Sequence, residues 1–248
     1  MSGHSKWSTI KHKKGAKDAK RGKLFTKLIK EITVSAQIGG TDAEANPRLR
    51  AAIQNAKGLN MPKDTIQRAI NKANKDSSNF QESSFEGYLP HGIAVFIDCL
   101  TDNNNRTVAS IRSIFNKKGG NLGTNGSLSF LFERKGVITV PAVDLDPEKF
   151  ELEIIDAGVE EIEREEDVFL ITTAMEDFNA VQKKIEEMGL EAGSAELQRV
   201  PNETKILPLD QSIQIMKIIE EFEDDDDVQN VYHNLEVTDE VLAVLNED

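Results

Sequence analysis

The side chains with most chemical consequence in this chain are cations crowded toward one end. Lys6, Lys11, Lys13, Lys14, Lys17, Lys20, Arg21, Lys23 and Lys27 fall within the first 30 residues, which hold ten Lys/Arg and a single acid, Asp18. A block of this kind attracts a polyanion by releasing its counterions, whatever the anion's sequence. Residues 1–75 carry 17 Lys/Arg against 5 Asp/Glu, a net +12, whereas the other 173 residues carry −25 and bring the whole chain to −13. Trp7, the only tryptophan, stands among Ser5, Lys6, Lys11, His12 and Lys13. Two roles are open to it. It can stack on a nucleobase, which contributes ~1–3 kcal/mol per base, or it can dock on its own helices and anchor the segment.

Covalent catalysis has no comparable signature. There is no Walker A loop, no HExxH and no GxSxG. His4, His12, His91 and His233 are scattered, and the one cysteine, Cys99, lies in the apolar run Ile93–Leu100, so neither a zinc cluster nor a disulfide framework is expected. The expectation is a non-enzymatic protein without cofactor or metal. The glycine-rich segment Gly119–Gly126 follows a helical pattern and opens a strand, the reverse of a dinucleotide loop. A tight connection explains it best. The functional alternative is that its amides meet phosphate, helped by Arg106, Arg112, Lys117 and Lys118 as secondary contacts. Glu220–Asp227 has seven acids in eight residues. A solvated helix end, a divalent-ion site and an internal phosphate mimic that holds the basic arm are the readings it allows.

The elements that position these groups follow from periodicity. Met1–Gly15 has no apolar period. A first helix is predicted over 18–37, with Leu24, Phe25, Leu28, Ile29, Ile32 and Ala36 on one face, Lys20, Lys23, Lys27 and Lys30 largely off it, and Gly39-Gly40 as its stop. Asn46-Pro47 and Asn60-Met61-Pro62 announce two more helices. The third offers Lys63, Gln67, Arg68, Asn71, Lys72 and Lys75 outward, which invites a helix-turn-helix reading. A polar break at 76–84 ends this part. Beyond it, strands are predicted at 93–100, 127–132, 136–140, 159–164, 167–172, 195–200, 205–209 and 228–232, and helices at 104–118, 146–157, 175–188 and 211–223. The βαββαβ order over 134–201 is that of a ferredoxin-like sandwich. The fold class is therefore multidomain α and α+β. An N-terminal three-helix bundle with its basic tail spans 1–76, one α+β domain combines 85–133 with 202–248, and the ferredoxin-like domain at 134–201 is inserted within it. No apolar stretch approaches the ~20 residues a membrane span needs, and no apolar segment follows the N-terminal charges as in a secretory signal. The cytoplasm is the expected location, and the oligomeric state is left open.

Several motifs in order resemble one family. Gly3-His4-Ser5-Lys6-Trp7, Ile10-Lys11-His12-Lys13-Lys14 and Asp18-Ala19-Lys20-Arg21-Gly22-Lys23 are similar to the opening signature of the YebC/PmpR family. Asn46-Pro47-Arg48-Leu49-Arg50, Met61-Pro62-Lys63-Asp64-Thr65-Ile66, Leu100-Thr101-Asp102-Asn103, Gly119-Gly120-Asn121-Leu122-Gly123 and Val231-Tyr232-His233-Asn234 continue it. The likeness covers essentially the whole chain. Where the family usually reads Gly-Tyr-Gly-Pro-Gly-Gly, this chain has Gly87-Tyr88-Leu89-Pro90-His91-Gly92. The resemblance implies three domains, the middle one inserted, and a regulator that binds promoter DNA. Some family members look instead like translation factors that act on the ribosome where proline-rich peptides stall it, which would make ribosomal RNA the partner. Both roles would use the basic arm, with Lys6, Lys11, Lys13, Lys14, Lys17, Lys20, Arg21, Lys23 and Lys27 on phosphate and Trp7 stacking.

Overall fold

The structure, a computed structural model, describes residues 18–73, 80–143, 145–165 and 167–247. The chain divides into two compact units, one built from 17–76 with 134–198 and the other from 77–133 with 199–248.

Three helices open the first unit: α1 (Asp18–Gly39), α2 (Pro47–Gly58) and α3 (Lys63–Ala73). Their ends are set by local chemistry. Gly40, at φ +88°, terminates α1, and its N–H donates to the Ala36 carbonyl at 3.0 Å. Asn46 is buried and works in both directions. Its Oδ1 accepts the Leu49 N–H at 3.1 Å, capping α2, while its Nδ2 donates to the Ser35 and Gly40 carbonyls at 2.8 Å each. The core between the helices uses Ile32, Leu49, Ile66 and Ile70 with four alanines, Ala36, Ala52, Ala56 and Ala69, whose small side chains let the helices approach closely.

After the bundle come β1 (Gln81–Leu89), β2 (Ile93–Thr101), α4 (Asn104–Lys117) and β3 (Asn121–Leu122). The chain continues through β4 (Phe132–Pro141), α5 (Pro147–Ile154), β5 (Val159–Glu165), β6 (Val168–Ala174), α6 (Phe178–Glu187) and β7 (Ser194–Pro201). It finishes with α7 (Leu209–Glu223), β8 (Val228–His233) and α8 (Asp239–Glu247). One sheet has the order β3-β1-β2-β8 and the other β5-β6-β4-β7. In the first, β1 and β2 form an antiparallel hairpin in register from Gln81↔Thr101 to Leu89↔Ile93. β2 is covered on both sides: Ile93, Val95, Ile97 and Cys99 pack on α4, α7 and α8, while Ala94 and Phe96 pack on Leu128, Phe132 and Tyr232. Double coverage is why it reads as an unbroken apolar run rather than an alternating one. In the second sheet, Ile138, Val140, Phe169 and Ile171 meet Phe150 and Ile154 of α5 and Val181 and Ile185 of α6.

Several expectations are corrected. The strand predicted at 127–132 is a turn followed by a one-turn 3-10 segment, Ser129–Leu131, and extended chain begins only at Phe132. The strand predicted at 205–209 reduces to one isolated bridge, Lys205 to Leu235. Ser83 and Ser84, read as part of a polar break, lie inside β1, and α8 was not anticipated. The helix predicted at 146–157 is helical to Ile154 and then tightens into a 3-10 turn, and the one at 175–188 begins at Phe178.

Candidate nucleic-acid interface

The basic residues resolve into three groups. Lys6, Trp7, Lys11, Lys13, Lys14 and Lys17 lie outside the described residues, and Lys20 is described only as part of the α1 backbone. Arg21, Lys23 and Lys27 sit on the first turns of α1. Lys23, Lys27 and Lys30 recur every three or four residues and so share one side of the helix, away from Leu28 and Ile32. Arg21 and Lys23 are exposed, and Lys27 is half-buried. Arg21 also has a positional task. Its Nη2 donates to the Leu59 carbonyl at 3.2 Å, and its guanidinium lies 5.3 Å from the Phe25 ring centre. Those contacts bring the start of α1 against the turn between α2 and α3.

That turn is sharply specified. The Met61 N–H donates to the Ala56 carbonyl at 2.9 Å and the Asn60 N–H to the Lys57 carbonyl at 2.8 Å, the paired bonds of a Schellman motif. Asn60 takes the left-handed position at φ +57°, and Met61 is buried against the bundle core. α3 then leaves with Ile66, Ala69 and Ile70 inward and Lys63, Gln67, Arg68, Asn71 and Lys72 exposed. Two arginines of α2 bind within the bundle. Arg48 grips Glu31 with two bonds, at 2.6 and 3.1 Å, and Arg50 donates to the carbonyls of Ala43 and Glu44.

The secondary cations behave differently. Arg106 binds both oxygens of Asp227, at 2.8–3.1 Å, and reaches Asp102 at 2.9 Å. Hydrogen bonds from Asp227 first, and from Asp102 second, raise its pKa above the ordinary guanidinium value. Lys118 pairs with Glu221 at 2.6 Å. Arg112 and Lys117 are exposed. The acidic run is correspondingly not a bare solvated end. Asp227 also accepts from Thr107 at 2.9 Å, and Asp225 accepts from Ser110, so the run is fastened along α4.

The glycine-rich segment has an internal anion of its own. Glu86, buried on β1, accepts the Gly126 N–H at 2.7 Å and the Leu128 N–H at 2.6 Å. Two amides that a phosphate could have used are thereby filled, and the segment is a clamped connection. Its glycines are steric as well. A Cβ at Gly87 would lie 2.4 Å from the Asn121 carbonyl oxygen, and one at Gly120 would lie 2.9 Å from that of Tyr88. Sequence reasoning did not single out Glu86, because its two partners lie 40 and 42 residues away.

His233 is fully buried, and burial pushes its imidazole down to about 4 against the opposing effect of a backbone hydrogen bond with Leu235. Among the described residues no three His, Cys, Asp or Glu side chains are grouped to hold a metal ion. No helix among them is long and apolar enough to cross a membrane.

These features define a multidomain α+β protein whose helical module is cationic while the rest of the sequence is acidic. Comparison with known proteins gives the family. Residues 5–76 match the domain described as the TACO1/YebC protein N-terminal domain, and residues 80–235 match the TACO1/YebC second and third domain. The chain belongs to the TACO1/YebC family. A probable transcriptional regulatory protein of Amoebophilus asiaticus is 52% identical over 239 residues, covering 95% of this chain and 98% of that one. A second of that name, from Syntrophotalea carbinolica, is 49% identical over 98% of both chains. The crystal structure of a conserved hypothetical protein from Aquifex aeolicus superposes with a TM-score of 0.79 at 41% identity, covering 88% of this chain and 91% of that one.

Proposed function

We propose that this chain is a non-enzymatic, cytoplasmic regulator of gene expression that binds DNA and acts on transcription through its basic N-terminal region. The observation that carries this reading is the unequal placement of the cations. Residues 1–75 hold 17 of the chain's 30 Lys/Arg and a net charge of +12, with Lys23, Lys63 and Lys72 exposed, while the other 173 residues carry −25. Lys6, Lys11, Lys13, Lys14, Lys17 and Lys20 add to that charge in the sequence, and Trp7 is read as the stacking residue. The names of the Amoebophilus and Syntrophotalea relatives support the transcriptional side of the reading. The domains that serve it are the bundle at 1–76, an α+β domain from 85–133 with 202–248, and the insertion at 134–201. The insertion is read as ferredoxin-like, since β4 and β6 are the central strands of the order β5-β6-β4-β7.

Fluorescence anisotropy on a labelled duplex across a salt series tests the proposal. Each phosphate neutralised contributes a log–log slope of about −0.9, so six engaged cations give roughly −5. A slope near zero would remove the basic region as the DNA-binding element.

A further inference from the structure

We infer that α3 is the base-reading element, lying in the major groove with Gln67 and Asn71 contacting base edges, so that the protein selects sequence and does not merely coat DNA. This rests on the DNA-binding reading above and goes beyond it, because phosphate attraction alone carries no sequence information.

Three observations converge. The first is connectivity: α2, a four-residue turn with Asn60 in the left-handed position, and α3 form a helix-turn-helix whose turn is locked by two backbone bonds and by buried Met61. In such units the second helix enters the major groove. At 11 residues α3 is about 16 Å long, enough to lie along a groove roughly 12 Å wide.

The second is the chemistry of the exposed face. Gln67 and Asn71 are one turn apart, and Gln67 Nε2 donates to Asn71 Oδ1 at 3.1 Å. That bond orders both amides and leaves the Gln67 carbonyl as an acceptor beside the Asn71 amide as a donor. An adenine presents the complement in the major groove, a donating N6 amine and an accepting N7. Lys63, Arg68 and Lys72 flank the pair along the helix. Arg68 is steadied by its bonds to the Asp64 carbonyl, at 3.1 Å, and the Thr65 hydroxyl, at 3.2 Å. Those cations supply phosphate contacts on either side of the readers.

The third is the route of the chain. Arg21 fastens the start of α1 to Leu59, four residues before α3 begins. The described start of α1 is thereby held against the turn that leads into α3.

The test uses the full chain and a random duplex library, with the enriched sequence then compared with its shuffled form. The expected result is a short motif containing an A·T pair. Gln67→Ala and Asn71→Ala should each cut the preference for the motif by about 5- to 150-fold, the range one bidentate base contact supplies. Affinity for the shuffled duplex, its salt slope and the melting temperature should stay unchanged. Lys72→Gln should weaken binding to both duplexes alike and reduce the salt slope by about 1. Steep salt-dependent binding without any enriched motif, or a motif preference that survives both alanine variants, would overturn the role of α3 and leave the DNA-binding reading standing. Absence of salt-dependent duplex binding, or a preference for single-stranded RNA, would overturn both.

Discussion

Asn55 on α2 closes the backbone of Ala195 on β7 from both sides: its Nδ2 donates to the Ala195 carbonyl at 3.2 Å, and its Oδ1 accepts the Ala195 N–H at 2.8 Å. β7 is the end strand of its sheet, so this side-chain amide takes the place of a neighbouring strand. The next turn of α2 comes so near that a Cβ on Gly58 would collide with the Gly193 carbonyl oxygen. Gln54 adds a contact to Gln182 at 3.3 Å.

Removing that amide should be costly. Asn55→Ala leaves a buried donor and a buried acceptor of Ala195 without partners, and a loss of about 2–4 kcal/mol is expected in denaturant unfolding. Gly58→Ala should destabilise as well, through backbone displacement, and hydrogen exchange at Ala195 should speed up in both variants. Unchanged exchange at Ala195 would show that the bond is not the element that holds α2 on the sheet.

Acid should weaken the protein through His233. An unfolded histidine titrates near 6.5, while the folded one is held down to about 4, so between these values only the unfolded chain takes up the proton. The stabilisation is complete above pH 6.5 and is lost as pH falls toward 4, in all by about 3 kcal/mol. Urea midpoints at pH 7 and pH 4.5, for the parent and for His233→Asn, measure it. The variant should be less stable at neutral pH and show a shallower acid dependence. Equal pH slopes would rule His233 out as the source.

Arg106 separates fold from recognition. Arg106→Gln removes the bidentate partner of Asp227, whose side chain is only 7% exposed, so the melting temperature should fall. DNA affinity and its salt slope should not change. Arg112→Gln and Lys117→Gln, at exposed positions, should leave stability alone. A drop in salt slope for Arg106→Gln would return that residue to the nucleic-acid surface.

The contrast between what the sequence revealed and what it hid follows the range of the interactions. The three helices announce themselves because their signals are local: Asn46 caps the N–H three residues on, and Gly40 ends α1 from inside its own turn. β1 escaped because Gln81–Leu89 is polar along much of its length and becomes a strand only by pairing with β2 and β3. The segment 127–132 has a strand's apolar composition, yet Glu86 winds its beginning into a turn from across the sheet. The same holds for the site. Clustered lysines are visible as charge, but the capture of Arg106 by Asp227 spans 121 residues and the bond from Asn55 to Ala195 spans 140. His91 is a smaller case. It adopts φ +62° where the family usually has glycine, and the Lys205 ammonium steadies its carbonyl at 2.7 Å.

The clamp that Glu86 places on the connection also governs how the chain ages. Asn125-Gly126 is the one Asn-Gly dipeptide in the sequence, and it is exposed. Deamidation there begins when the Gly126 nitrogen attacks the Asn125 side-chain carbonyl carbon, expels ammonia and closes a succinimide that water reopens. With that N–H committed to Glu86 at 2.7 Å, the ring can close only after the loop lets go. Peptide mass spectra of stored protein should therefore record isoaspartate at position 125 sooner in Glu86→Gln than in the parent, making one buried carboxylate the keeper of the molecule's chemical lifetime.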